Sequence, residues 1–126
     1  MNRGLLKFRY NEQIGSISVE CELVNGTVWM TKREIARLFN VYVSAVSNNL
    51  VPLFNRGELN ESQVTKSVGD VMFYNLDVVI ALSFRMRGGH CRHFREWITR
   101  QVKRSFSQVK TTPIYINIGD HEFVNN

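Results

Sequence analysis

The sequence predicts a small α+β domain in which two β-hairpins flank a pair of closely connected helices and two further helices follow. Three observations predict it: polar and apolar residues alternate around two glycine-containing turns, a helix-capping motif follows the first turn, and later segments carry apolar residues at helical spacing. The chain has 126 residues, 44% of them hydrophobic, which suits one domain with one core. We assign residues 1–110 to this domain and residues 111–126 to a C-terminal tail, with a short strand at residues 113–118.

The first hairpin is expected around Asn25 and Gly26. Residues 16–23 alternate polar and apolar side chains, which is the period of a half-buried strand. Asn and Gly both tolerate a positive φ angle, so together they suit a tight turn between antiparallel strands. Residues 27–30 are therefore expected to return as the partner strand.

Two helices are expected after this hairpin. Thr31 and Glu34 form a capping box, in which a hydroxyl at the N-cap and a carboxylate three residues later satisfy free backbone N–H groups. The first helix is expected to end at Phe39, because Asn40 suits the left-handed conformation that often follows a helix. Ser44 is expected to cap the second helix. The buried side of that helix is expected to be apolar, with Val46, Leu50, Leu53 and Phe54.

These two helices have the spacing of a helix-turn-helix. Ala36 is small where the helices would cross, and Asn40 occupies the tight turn. Val46 and Leu50 would then pack the second helix back onto the first. Pro52 removes a backbone donor and is expected to weaken or end the second helix. An ordinary helical hairpin within a core is the alternative interpretation.

A second hairpin and a third helix are expected next. Residues 64–67 and 71–74 flank the turn at residues 69–70 (Gly-Asp) and predict a hairpin in the place of a wing. Asn75 is expected to cap a helix over residues 76–86, which is apolar nearly all round and therefore central to the core. The order of helix, helix and hairpin predicts a winged helix-turn-helix with an N-terminal β-hairpin, a wing hairpin and two further C-terminal helices.

The fourth helix, over residues 90–106, separates apolar from basic side chains. Its apolar stripe consists of Phe94, Trp97, Ile98 and Val102. Its opposite face carries Arg92, His93, Arg100, Lys103 and Arg104. Residues 85–110 contain eight Lys and Arg against one acid, 8 − 1 = +7, whereas the whole chain carries +5, which leaves 5 − 7 = −2 elsewhere. Such a basic block is typical of a polyanion-binding surface, with a merely solvated helix face as the alternative.

Fold and charge together favour binding to double-stranded DNA, with the second helix in the major groove. The residues expected to contact base edges are Tyr42, Ser44, Ala45, Asn48 and Asn49. Asn can contact the N6/N7 edge of adenine, and Ala can pack on a thymine methyl group. The second helix has no Lys or Arg, so phosphate contacts are expected from other elements: Lys32, Arg33, Arg37, Lys66, Arg92, Arg100, Lys103 and Arg104.

Several blocks of the sequence resemble the virulence-associated RhuM family. They are Val-Trp-Met-Thr at 28–31, Ile-Ala-Arg-Leu-Phe at 35–39, Gly-Glu-Leu at 57–59, Phe-Tyr-Asn-Leu-Asp-Val-Val-Ile at 73–80 and Phe-Arg-Glu-Trp at 94–97. The resemblance covers about residues 14–105, and the last block is also similar to N-terminal domains of phage antirepressor-type proteins. It implies a bacterial or mobile-element protein with a DNA-binding N-terminal module. The chain departs from the family at Pro52 and at residues 87–90, where Arg-Gly-Gly-His replaces a serine-rich loop.

No catalytic or metal-binding group is predicted. His90, Cys91 and His93 lie too close together in sequence to converge easily on one tetrahedral ion, and no second cluster completes the set. Residues 120–122 (Asp-His-Glu) lie in a polar tail without the walls of an active site. No nucleophile, base and orienting group occur together, so we expect neither an enzyme nor a cofactor.

The remaining sequence features concern location and assembly. The N-terminus has no apolar signal segment, and the two cysteines do not make a disulfide framework, so a cytoplasmic protein is expected. No stretch approaches the roughly 18 apolar residues of a membrane span. We expect a DNA-binding transcriptional or mobile-element regulator acting as a homodimer, because one short helix reads few base pairs. The alternative is a protein-interaction module of an antirepressor or toxin-associated system, which the uncharged second helix favours.

Overall fold

Five strands and five helices follow one another along residues 1–107, the part of the chain that the computed structural model describes. They are β1 (Leu5–Asn11), β2 (Ser16–Glu22), β3 (Trp29–Met30), α1 (Lys32–Phe39), α2 (Val43–Asn55), α3 (Glu61–Val64), β4 (Thr65–Val68), β5 (Val71–Asn75), α4 (Leu76–Arg85) and α5 (Gly89–Ser107). The mixed α+β class is confirmed, with two small sheets. The strand predicted at residues 113–118 and the tail at 111–126 lie outside the described residues.

The first sheet corrects the predicted N-terminal hairpin. Strand β2 pairs with β1 along its whole length, from Leu5 opposite Glu22 to Asn11 opposite Ser16, and not with residues 27–30. Asn25 and Gly26 do turn the chain, with φ angles of 53° and 78°, but only one bridge flanks this turn. The prediction was wrong because β1 offers β2 seven residue pairs, which outweigh the local turn.

The second sheet has the strand order β3-β5-β4. The predicted hairpin around residues 69–70 is confirmed as β4 and β5, although Val64 belongs to the short helix α3. Strand β3 pairs antiparallel with the other edge of β5, Trp29 opposite Asn75 and Met30 opposite Tyr74. The strand that precedes α1 is thereby joined to the strand that precedes α4.

Helix α1 and the turn after it agree with the sequence-based expectation, whereas the start of α2 differs. Asn40 adopts the left-handed conformation with φ 53°. Helix α2 begins at Val43, after Tyr42 as N-cap, and no side chain caps it, so Ser44 is not the N-cap. Pro52 does not end the helix, which continues to Asn55. A proline in the last turn removes only the N–H that would have reached the carbonyl of residue 48.

The core lies between α4, the α1–α2 pair and the first half of α5. Helix α4 begins at the predicted cap, where the Asn75 side chain accepts a hydrogen bond from the Val78 N–H. Phe94 of α5 is completely buried and meets Phe39 edge to face, with ring centroids 5.5 Å apart. Val102, predicted as part of the buried stripe, is 47% exposed. The stripe is therefore buried only in the first half of α5, and nearly all residues after Ile98 are exposed.

We expect Phe94→Ala to lower the free energy of unfolding by about 3–5 kcal/mol, because it removes a fully buried ring and leaves a cavity. Phe84→Ala is the matched control, since that phenylalanine is 60% exposed on α4, and its effect should stay within about 0.5 kcal/mol. Urea unfolding measures both changes. Equal effects of the two substitutions would contradict this description of the core.

Candidate functional site

The α1–α2 pair orients the surface on which the candidate site lies. The Val41 N–H donates to the Ala36 carbonyl at 2.9 Å, which closes the end of α1 against the turn. Val46, Leu50 and Leu53 are buried along one side of α2, as predicted. Because successive residues of a helix are separated by about 100°, the opposite side of α2 must face outward.

Four exposed residues occupy that opposite side at helical spacing: Ser44, Asn48, Val51 and Asn55. We call them the outer line of α2. No charged residue occurs anywhere in α2, and Val51 is 57% exposed. Ser44 and Asn48 were predicted as base contacts, whereas Val51 and Asn55 were missed. Their helical spacing relative to Ser44 and Asn48 was visible in the sequence.

The other predicted base contacts lie away from the outer line. Tyr42 is 85% exposed at the start of α2. Ala45 is half-buried and lines a cavity at the turn together with Tyr42. Asn49 is also half-buried, and its Nδ2 donates to the Ala45 carbonyl at 2.8 Å. The amide of Asn49 is therefore already used within the helix.

A groove borders the outer line on the side of β5. Lys32, at the start of α1, lines it together with Val51 and Asn55 of the outer line. Glu61 and Tyr74 also line it. Burial raises the pKa of Tyr74, and the nearby Glu61 carboxylate raises it further. Lys32 thus brings one positive charge to the edge of the outer line.

The remaining predicted phosphate contacts outside α5 lie on separate surfaces. The Lys66 ammonium, on β4, lies 5.8 Å from the centroid of the Trp29 ring. Arg33 is exposed on α1. Arg37 is exposed as well, but it lines a different groove, which includes Lys7 and His90. Of these side chains only Lys66 belongs to the β4–β5 hairpin.

Helix α5 carries five basic residues and one acidic residue, 5 − 1 = +4. Arg95 is committed to the fold, because its guanidinium donates to the carbonyls of Ser83 at 2.6 Å and Met86 at 3.3 Å at the end of α4. The four exposed basic residues are Arg92, Arg100, Lys103 and Arg104. Helix α5 packs on α4 and α1, and no hydrogen bond or salt bridge among residues 1–107 joins its basic side chains to α2.

The His-Cys-Arg-His segment spreads its side chains in different directions. His90 Nε2 is 2.5 Å from the Tyr10 hydroxyl, on the β1 strand. Cys91 is completely buried, and burial raises the pKa of its thiol. His93 Nδ1 lies 3.7 Å from a Glu96 carboxylate oxygen. Within residues 1–107 no three His, Cys, Asp or Glu side chains come together as a metal-binding group.

Comparison with protein-family models, with curated proteins and with solved structures found no match. The resemblance to the RhuM family therefore stays a prediction. Over residues 1–107, none of the helices has the length and apolar character needed to cross a membrane.

The N-terminus of α1, which orients the site, depends on Glu34. Thr31 and Glu34 form the predicted capping box, with the Thr31 N–H 2.9 Å from the carboxylate and the Glu34 N–H 3.2 Å from the hydroxyl. The Arg3 guanidinium donates to the same carboxylate at 2.6 Å. Burial opposes ionisation of Glu34, but the hydrogen bonds from Arg3 and Thr31 and the charge of Arg3 together lower its pKa.

We expect Glu34→Gln, which keeps an acceptor but removes the charge, to lower the free energy of unfolding at pH 7 by about 0.2–1 kcal/mol. Because the folded protein holds this carboxyl at a lowered pKa, the unfolded chain binds its proton more readily. The difference in unfolding free energy between the parent and Glu34→Gln should therefore be greatest above the ordinary pKa of 4.5. It should disappear as the pH falls through the lowered pKa that Glu34 has in the folded protein. Denaturant unfolding at several pH values measures it, and in an Arg3→Ala background the difference should shrink. A difference independent of pH would contradict the ion pair.

Proposed function

We propose that this chain binds double-stranded DNA as a winged helix-turn-helix, with α1 and α2 as the helix pair and the β4–β5 hairpin as the wing. The observation that carries the proposal is the outer line of α2, an exposed row of uncharged side chains on a helix whose other side is locked into the core. Helix α2 has 13 residues, about 20 Å of helix, and the major groove of B-DNA is wide enough to accept it.

The topology around α2 supports this function. In the known helix-turn-helix geometry the second helix enters the major groove while the first crosses the DNA backbone. Lys32 at the start of α1 is suitably placed for a phosphate next to such a groove, since it borders Val51 and Asn55. Lys66 supplies a second positive charge on the hairpin that follows. Both cations belong to elements adjacent to α2 in the proposed arrangement.

The biological role that we propose is that of a transcriptional or mobile-element regulator in the bacterial cytoplasm. The resemblance to the RhuM family supports this role. One short helix reads few base pairs, so a homodimer on two half-sites is the assembly that would provide a useful length of recognition.

A protein-interaction module is the second candidate function, and one observation favours it. Apolar side chains are exposed around the turn of the β4–β5 hairpin, where Val68 is 45%, Val71 46% and Met72 41% exposed. Exposed apolar residues that cluster in this way often mark a binding surface for another protein. A module of this kind would have no salt-dependent affinity for duplex DNA.

We expect duplex DNA to bind with an affinity that falls steeply with salt, because each neutralised phosphate releases counterions and adds about −0.9 to the slope of log K against log salt. Lys32→Ala with Lys66→Ala should flatten that slope by about 1.8. Fluorescence anisotropy titrations across a salt series measure the slope. The control is Lys7→Ala with Arg9→Ala, which removes two charges that face Glu20 on the β1–β2 sheet and should leave the slope unchanged. No binding at low salt would refute the proposed function.

Arg100 and Lys103 are proposed as phosphate contacts on α5. Replacing both by alanine should weaken all duplexes about equally and flatten the salt slope, since phosphate contacts carry no direct sequence information. The same titrations with several unrelated duplexes test this expectation. Unchanged binding by the double variant would exclude the basic face of α5 from the DNA surface and would strengthen the protein-interaction candidate.

A further inference from the structure

We infer that α2 selects A·T over G·C base pairs, through Asn48, Val51 and Asn55. The inference rests on the DNA binding proposed above and goes further, because it specifies the class of base pair that the outer line recognises. Asn55 belongs to this assignment because α2 continues beyond Pro52.

Helix α2 lacks the charged side chains that usually recognise a G·C pair. Guanine presents two acceptors, N7 and O6, to the major groove, and Arg or Lys is their usual partner. Cytosine presents a donor, the N4 amino group, which Asp or Glu accepts. Helix α2 contains none of these four residue types. The outer line therefore lacks the usual side-chain partners of both guanine and cytosine.

The residues that are present match the other base pair. The amide of Asn can donate to adenine N7 and accept from adenine N6 at the same time, and an apolar side chain can contact the thymine methyl group. Asn48 and Asn55 are exposed, and within residues 1–107 neither side chain has a hydrogen-bond partner. Both amides are consequently free to bind a base, unlike the amide of Asn49.

The distance between Asn48 and Asn55 along α2 predicts the length of the DNA motif. Asn48 and Asn55 are 55 − 48 = 7 residues apart in one helix, which is two turns, so both side chains point the same way about 10.5 Å apart. Base pairs follow one another every 3.4 Å or so along the axis. With α2 lying along the groove, the two amides would reach adenines at most about three base pairs apart, with Val51 placed between them over a thymine.

Lys32 borders this row, and it does not change the expected selectivity. It lies on α1, at the edge of the groove beside α2. The first helix of a helix-turn-helix crosses the DNA backbone. Lys32 is accordingly a partner for phosphate, which is common to all sequences.

The experiment is a selection of bound duplexes from a pool with a randomised centre, using the full-length protein at one fixed salt concentration. We expect the bound fraction to be enriched in A·T pairs, with two adenines at most about three base pairs apart. Asn48→Ala should remove the preference at one end of the motif and Asn55→Ala at the other. Asn49→Ala is the matched control and should keep the whole motif, because its amide is bonded to the Ala45 carbonyl. Circular dichroism of each variant shows that it is folded.

A second measurement tests the same contacts from the side of the DNA. Replacing a selected adenine by 7-deazaadenine removes N7, and replacing a selected thymine by uracil removes the methyl group. The adenine change should weaken parent binding by roughly 5- to 150-fold. It should have little further effect on the variant whose Asn faces that adenine. The uracil change should weaken the parent but not Val51→Ala.

The outcomes separate this inference from the proposal on which it rests. Recovery of no duplex at any salt concentration would overturn both. Salt-dependent binding with a G·C-rich motif, or with no motif, would overturn the A·T selectivity and leave DNA binding in place. A motif unchanged in both Asn48→Ala and Asn55→Ala would overturn the assignment of the outer line as the selective surface.

Discussion

The arrangement of the whole domain depends on the pairing of β3 with β5, although β3 has only two residues. Trp29 lies opposite Asn75 and Met30 opposite Tyr74. One helix starts immediately after each of these strands, α1 after β3 and α4 after β5. The Leu76 N–H, in the first turn of α4, also donates to the Thr27 hydroxyl at 3.0 Å. A single short ladder thereby sets the starting points of α1 and α4, each of which packs on both α2 and α5.

Arg3 ties the N-terminal segment to the same place. Its carbonyl accepts a hydrogen bond from the Trp29 N–H at 2.9 Å, and its guanidinium binds the Glu34 carboxylate that completes the capping box of α1. The guanidinium carbon also lies 5.2 Å from the centroid of the Phe73 ring on β5. Rotation of α1 relative to the β3-β5-β4 sheet would break these contacts together. They therefore restrain the orientation of α1, and of the α2 helix packed on it, relative to this sheet.

Features that arise from neighbouring residues could be predicted from the sequence, and features that arise from distant pairing could not. The left-handed turn at Asn40 and the helix cap at Asn75 each depend on a few adjacent residues, and both are confirmed. The partner of β2 is β1, which lies across a separate turn. In β1 the charged residues Lys7 and Arg9 interrupt the apolar residues, so the sequence did not indicate a strand there. These charges are exposed and paired with a glutamate of β2, which makes them compatible with a strand edge.

The last turn of α2 determines how far the outer line extends. Pro52 lies in the last turn of α2, but burial of Leu53 to 1% exposure holds that turn against the core and compensates for one lost hydrogen bond. That turn contributes Asn55 to the outer line, which remains uncharged throughout. Positive charge lies instead on the neighbouring elements, as with Lys32 on α1. If the chain binds DNA, the cations of the neighbouring elements would contact phosphates and supply affinity, and the uncharged outer line of α2 would distinguish base pairs. Phosphate contacts position a protein on DNA, whereas base contacts specify the sequence.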